Sequence, residues 1–184
     1  MNLSNKELKV YDLIKYSEEE SIWLPEFQRP FVWDKNQVRL LVDSIYRDYT
    51  ISSILLWTGG DELARRRVGA TIKDIKIPQD KDESVVYLLD GQQRTTALTL
   101  AFTDKAIYRG NNTTKKEKVN IYFDTLYHGD DPEMRWVLDD EKIANESNPE
   151  EPFMLKEFSD QELFTKFGTR FVKIKHTYNF DDSQ

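Results

Sequence analysis

Cysteine is absent from this chain, which excludes disulfides, thiolate metal sites and a cysteine nucleophile and fits a reducing compartment. Histidine is scarce, since only His128 and His176 occur and they stand apart. No apolar run approaches the length of a membrane span, and the N-terminus lacks the apolar core of a secretory signal, so a soluble, cytoplasmic protein without membrane contact is expected. An excess of positive charge is missing too. The formal net charge of −7 argues against a surface that grips nucleic acid indiscriminately, while a local basic groove stays compatible with it. Internal repeats and low-complexity tracts are also lacking. What remains is 184 residues with 39% hydrophobic content, enough for one ordinary domain with a substantial core.

The most informative stretch runs from Val85 to Leu100. Val85-Val86-Tyr87-Leu88-Leu89 has the composition of a buried strand, and Ala97, Leu98, Ala101 and Phe102 recur at helical spacing. Between them lies Asp90-Gly91-Gln92-Gln93-Arg94, at the point where a strand hands over to a helix. Such a junction exposes free backbone N–H groups and the positive end of the helix dipole, and a glycine lets backbone approach a ligand. Arg94 can pair with phosphate oxygens through its planar fork. Gln92 and Gln93 can donate to phosphate or orient a water, and Asp90 can hold a metal ion directly or through its waters. The competing reading makes Asp90 the helix cap and Gly91 an ordinary turn, with the other three side chains solvated.

Upstream, Ser4-Asn5-Lys6-Glu7 has the capping-box pattern, with Leu3 and Leu8 placed for a staple, predicting a helix from about Asn5 to Tyr16. The segment Ile22 to Trp33 is rich in aromatics and contains Pro25 and Pro30, which rule out a regular helix. Arg29, flanked by Phe27, Phe31 and Trp33, is expected to be partly desolvated and to want an anionic partner, with Gln28 available beside it. Asp34 and Gln37 form the next cap, and Val38, Leu41, Val42 and Ile45 make the clearest amphipathic helix of the chain. Ile51 to Trp57 reads as a core strand ended by Gly59-Gly60.

Residues 59 to 84 read as a polar excursion, whose run Arg65-Arg66-Arg67 is expected to be a solvated face rather than a nucleic-acid contact. Val119 to Asp124 reads as a third strand. From Asp130 to Glu151 nine acidic residues face Arg135 and Lys142, a solvated loop by composition, although Asp139 and Asp140 could bind a divalent ion. Ser159 and Glu162 cap a last helix that Gly168 ends, Phe171 to Lys175 alternates apolar and basic residues, and Asp181 to Gln184 has the look of a frayed end.

Taken together, Pro25-Glu26-Phe27-Gln28-Arg29-Pro30-Phe31-Val32-Trp33, the helix with Leu41-Val42-Asp43-Ser44-Ile45, and Leu89-Asp90-Gly91-Gln92-Gln93-Arg94 resemble the N-terminal domain of GmrSD-type restriction proteins, within the broader ParB/sulfiredoxin-like superfamily. The match runs from about Val10 to Phe102 and fades beyond. It implies an α+β fold with a mixed sheet flanked by helices, a single domain over residues 1–184, with a core of about 10–125 and an extension over 126–184. It further implies a domain that binds and hydrolyses a nucleoside triphosphate with Mg2+, in service of restriction of foreign, often modified, DNA. By motif, Asp90, Gln92, Gln93 and Arg94 would be catalytic. Gln28, Arg29, Gly91, Arg94 and Thr95 would bind the nucleotide phosphates, and Asp90 would serve the metal.

Two departures from the family pattern bear on activity. Full-length members carry a His-Asn-His nuclease, and neither histidine here lies in such a setting, so the chain is not expected to cut DNA alone. DNA would be reached through a larger assembly with a nuclease domain or subunit, and a homodimer is compatible with this. The phosphate box also has one arginine and two glutamines where ParB proteins have a glutamate and paired arginines. Sulfiredoxin chemistry is excluded by the missing cysteine. Two other readings stay open: a DNA-binding module without nucleotide turnover that uses Arg29, Arg65 to Arg67 and Arg94, and a structural dimerisation domain of a larger nuclease.

Overall fold

In the computed structural model, residues 7–19, 21–59, 63–70, 72–76, 85–111, 114–145 and 148–175 are described. Ser4 of the first expected cap, His176 and the terminus from Asp181 lie outside them. Helix α1 (Val10–Glu18) buries Leu13, Ile14 and Ser17, and begins later than the Asn5 start expected from the capping box. Strand β1 (Ile22–Pro25) follows, and ends where Pro25 enters the aromatic loop.

Helix α2 (Lys35–Tyr46) starts on the expected box: Asp34 accepts from the Gln37 amide and the Gln37 side chain accepts from the Asp34 amide. Strand β2 covers Leu55–Gly59, not the Ile51 to Trp57 span read from hydropathy. The difference has a local cause. Ser52 takes φ of 67°, a left-handed conformation incompatible with a strand, so the ladder begins only at Leu55.

Strand β3 (Arg65–Arg67) lies within the polar excursion, β4 (Val85–Asp90) is the expected buried strand, and α3 (Gln92–Phe102) the expected helix. A four-stranded mixed sheet results, in the order β2-β4-β1-β3. Within it β1 and β4 run parallel, and β2 and β3 pair antiparallel at the two edges. Helix α3 is the hub. Gln92 and every residue from Thr95 to Ala101 are buried along it, because α1 and α2 both pack on it, and its small Thr and Ala side chains permit that close approach.

A β5 (Ile107–Tyr108) and β6 (Lys116–Glu117) hairpin leads to β7 (Ile121–Asp124). Strand β7 is the centre of a second sheet, between β8 (Trp136–Leu138) and β9 (Phe171–Lys173). Thus the acidic segment after Asp130 is not merely a solvated loop. It contains the short helix α4 (Pro132–Arg135) and the buried strand β8, whose Trp136 and Leu138 join the main core with Ile174. Asp139 and Asp140 are spent on neighbours: Asp140 holds Lys35 at 2.5 Å and Asp139 accepts from Asn120 at 2.6 Å. Helix α5 (Asp160–Phe167) starts on the Ser159/Glu162 box and ends at Gly168, where φ is 60°. Among the described residues no helix is long and apolar enough to cross a membrane. The architecture is α+β: both main sheets contribute to one core, and Tyr122, Val137 and Phe171 of the second sheet build another with Phe153, Leu155 and Leu163.

Candidate functional site

Gly91 is required twice over at the β4–α3 junction. Its φ is 94°, a region L side chains rarely adopt, and a Cβ there would lie 2.3 Å from Ile54 Cδ1. Gly91 is also the N-cap residue of α3, which has no side-chain cap bond. Asp90 therefore is not the cap. Its carboxylate, 68% exposed, accepts instead from Arg94 Nη2 at 3.3 Å, one helical turn on. The first N–H groups of α3 thus face the turn without a capping side chain, the arrangement that favours an anion.

The aromatic loop is fastened over this junction by three polar side chains. Gln28 Nε2 donates to the Leu89 carbonyl at 2.7 Å. Gln93 Oε1 accepts the Val32 amide proton at 2.9 Å, and its Nε2 donates to the Pro30 carbonyl at 3.0 Å and to Gln92 Oε1 at 2.7 Å. Arg66 Nη2 donates to the carbonyls of Gln28 and Arg29 at 2.7 and 2.9 Å. The two boxes recognised in the sequence, 63 residues apart between Pro30 and Gln93, are therefore one structural unit.

Arg94 is mostly buried, with Nη1 donating to the Ile51 carbonyl at 2.5 Å. Thr95 is fully buried, and its hydroxyl has no hydrogen-bond partner among the described residues. Arg29 is exposed, contrary to the desolvation expected from its aromatic flanks. Of those flanks Phe31 is buried in the core, whereas Phe27 turns outward and is 68% exposed. Arg29 follows Gln28, whose carboxamide reaches the Leu89 carbonyl, so its backbone lies in the loop fastened over the turn.

The arginine run is the clearest correction. Arg65 and Arg66 are buried, the latter at 1% exposure, because β3 pairs with β1 in the sheet. The guanidinium carbons of Arg67 and Arg65 lie 3.2 and 4.5 Å from the Trp23 ring centre. Burial lowers the pKa of Arg66. This run braces the aromatic loop and does not form a free basic face.

The sequence reading named Gln28, Arg29 and residues 90 to 95, of which Gln28 is tied by its side chain to the residue before this turn. It missed Ile51, Ile54 and Arg66, which position them. The Ser52-Ser53 pair interrupting an apolar run was the one available signal for the first two. Nothing in a triple arginine distinguishes its middle member.

As a binding site the junction offers one exposed cation, one exposed carboxylate and a helix start. No group of three His, Asp or Glu side chains able to hold a metal occurs among the described residues. Asp90 alone fits a Mg2+ that brings most of its ligands with it, as water and phosphate oxygens.

Comparison with known proteins starts where the motif match starts and goes further along the chain. The chain is 31% identical over 138 residues to an uncharacterized protein of Methanocaldococcus jannaschii, a match covering 71% of this chain and 23% of that one. The chain therefore spans about a quarter of the length of that relative. The profile of the GmrSD restriction endonuclease N-terminal domain matches residues 10–183, well past the Phe102 limit set by the motifs. The chain belongs to the GmrSD restriction endonuclease N-terminal domain family.

Proposed function

We propose that this domain binds a nucleoside triphosphate with Mg2+ at the Asp90–Gly91 turn and hydrolyses it, as the nucleotide-dependent part of a system that restricts foreign or modified DNA. The observation that carries this is the junction itself: a glycine fixed at φ of 94° at an uncapped helix start, preceded by the exposed Asp90. The backbone amides and Arg29 would meet the phosphates, and Asp90 would hold Mg2+ once its contact with Arg94 loosens. Arg94 and Thr95 would complete the phosphate site, and Gln92 and Gln93 would orient a water only by exchanging their present partners. The ParB/sulfiredoxin-like relation of the mixed sheet, a nuclease partner that reaches DNA, a homodimer and a cytoplasmic setting belong to the same reading.

A second reading draws on a specific observation. Gln28, Gln93 and Arg94 all bond to the protein's own backbone, which is what a scaffold domain of a larger nuclease would need. The two readings separate on thermal unfolding with each of four NTPs, with and without Mg2+. A ligand bound to the native state at about 100 times its Kd adds roughly 2.7 kcal/mol, several degrees for a domain of this size. The nucleotide reading expects a Mg2+-dependent shift that Arg29→Ala abolishes without altering the ligand-free Tm. A folded protein that shifts with none of the four leaves the scaffold reading.

A further inference from the structure

A cleft lies away from the Asp90 turn. About 750 Å³ of open cleft separates the start of α2 from the β5–β6 hairpin, and five cations line it: Lys35, Arg109, Lys115, Lys116 and Lys118. In a chain of net charge −7, residues 105–118 carry five cations and a single carboxylate. Such a concentration of one sign is not the average surface of an acidic protein.

The carboxylates on the same walls are already engaged. Glu141 accepts from the buried Arg39 guanidinium at 2.8 Å and from the Leu138 amide at 3.0 Å. Asp140 holds Lys35, and that contact keeps its carboxyl below its ordinary range although burial pushes the other way. Asp34 caps α2, and Glu117 faces Arg109 at 3.4 Å. Lys116 and Lys118, both exposed, pair with no carboxylate among the described residues. Lys116 Nζ sits 5.2 Å from the Tyr108 ring centre, an aromatic face at the same rim. Negative charge in the cleft is thus internally neutralised, while Lys116 and Lys118 at its mouth have no carboxylate partner among the described residues.

We propose that this cleft is a docking surface for the phosphodiester backbone of duplex DNA, with Lys116 and Lys118 as its principal contacts and Arg109 and Lys115 beside them. Regularly spaced phosphates suit a row of flexible ammonium groups on a hairpin better than a compact anion does, because such an open cleft cannot enclose a small ligand. The surface is separate from the Asp90 turn, so the inference does not rest on nucleotide binding there. It also relocates the basic contact: the conspicuous Arg65 to Arg67 run is drawn into the fold, and Lys116 and Lys118 are the exposed cations the proposal uses.

The test is fluorescence anisotropy with a labelled duplex across a salt series, for the intact chain, Lys116→Glu/Lys118→Glu, and Lys9→Glu/Lys15→Glu. The last pair changes net charge equally, from α1 and the N-cap residue before it. Tm values of all three establish that they are folded. The proposal expects the hairpin pair to weaken binding at least tenfold and to flatten the slope of log K against log salt by about two, since each phosphate contact contributes about 0.9. The α1 pair should change affinity less than threefold. Equal losses in both pairs would reveal a general charge effect and overturn it, as would absence of duplex binding by the intact chain in about 50 mM salt. Competition by single-stranded RNA or heparin at least as strong as by duplex DNA would overturn the choice of partner.

Discussion

Gln93 holds Val32: its carboxamide oxygen takes the Val32 amide proton at 2.9 Å while its nitrogen serves Pro30. One side chain of α3 thereby satisfies backbone groups of an irregular loop 61 residues earlier in the chain, groups that no ladder reaches. Replacing it with alanine leaves a donor and an acceptor without their partner, and each orphaned group that stays dry costs about 1–3 kcal/mol. Gln93→Ala is expected to lower the urea midpoint with little change in m. A purely catalytic Gln93 would leave the midpoint untouched, so equilibrium unfolding distinguishes the two roles without any substrate.

Gly91 and Ile54 should prove energetically coupled. Gly91→Ala pays for φ of 94° and for the 2.3 Å approach to Ile54 Cδ1, together about 1–3 kcal/mol. Ile54→Val removes that methyl and leaves the backbone strain. A double-mutant cycle is expected to recover the steric part, with a coupling of about 0.5–1.5 kcal/mol. Additive effects would mean that the Ile54 side chain swings clear and that only φ matters.

Arg66 is a strut. Its Nη2 bridges two successive carbonyls, and Nε and Nη1 have no hydrogen-bond partner among the described residues. Truncation to alanine opens a cavity and strands those carbonyls, for a loss of about 2–4 kcal/mol. Lysine cannot reproduce the fork and should recover only part of it. Guanidinium denaturation of Arg66→Ala and Arg66→Lys checks both. Full stability in Arg66→Lys would show that charge alone, not geometry, is needed.

Helix caps and the central strand were legible because their signals are local: Asp34 with Gln37, Ser159 with Glu162, and the apolar run ending at Asp90 each specify their structure within a few residues. The strand at Ile51 failed for the opposite reason. Its hydropathy is that of a strand, but Ser52 turns left-handed and the Ile51 carbonyl is claimed by Arg94, a tertiary event with no local marker. Arg65 to Arg67 failed similarly, since charge predicts exposure unless pairing with β1 carries the run inward. The same limit applies to the site. Its candidate residues were named by motif, while the clamps that join the two motifs depend on contacts across more than 60 residues.

Lys175 supplies a pH signature of the joint core. It is buried at 4% exposure, its ammonium lies 3.5 Å from the exposed Asp104 carboxylate, and no hydrogen bond satisfies it among the described residues. Burial pushes its pKa below the ordinary 10.5, with Lys173 and Lys118 adding to the effect and Asp104 partly opposing it. Between that lowered value and 10.5 the unfolded chain keeps a proton that the folded chain has released, so this group makes stability rise with pH through the window. Below that window the ammonium is charged and its burial cost is present in full. Lys175→Met should then be more stable than the parent at pH 7, by about 1 kcal/mol or more. The advantage should shrink as pH climbs towards the ordinary lysine range. Asp104→Asn should move the other way at pH 7, by removing the opposing charge. Paired urea titrations at neutral and alkaline pH cancel the lysines and tyrosines that titrate alike in both proteins. A Lys175→Met difference that stays constant over that range would mean that packing, not the buried charge, sets the energetics at this position.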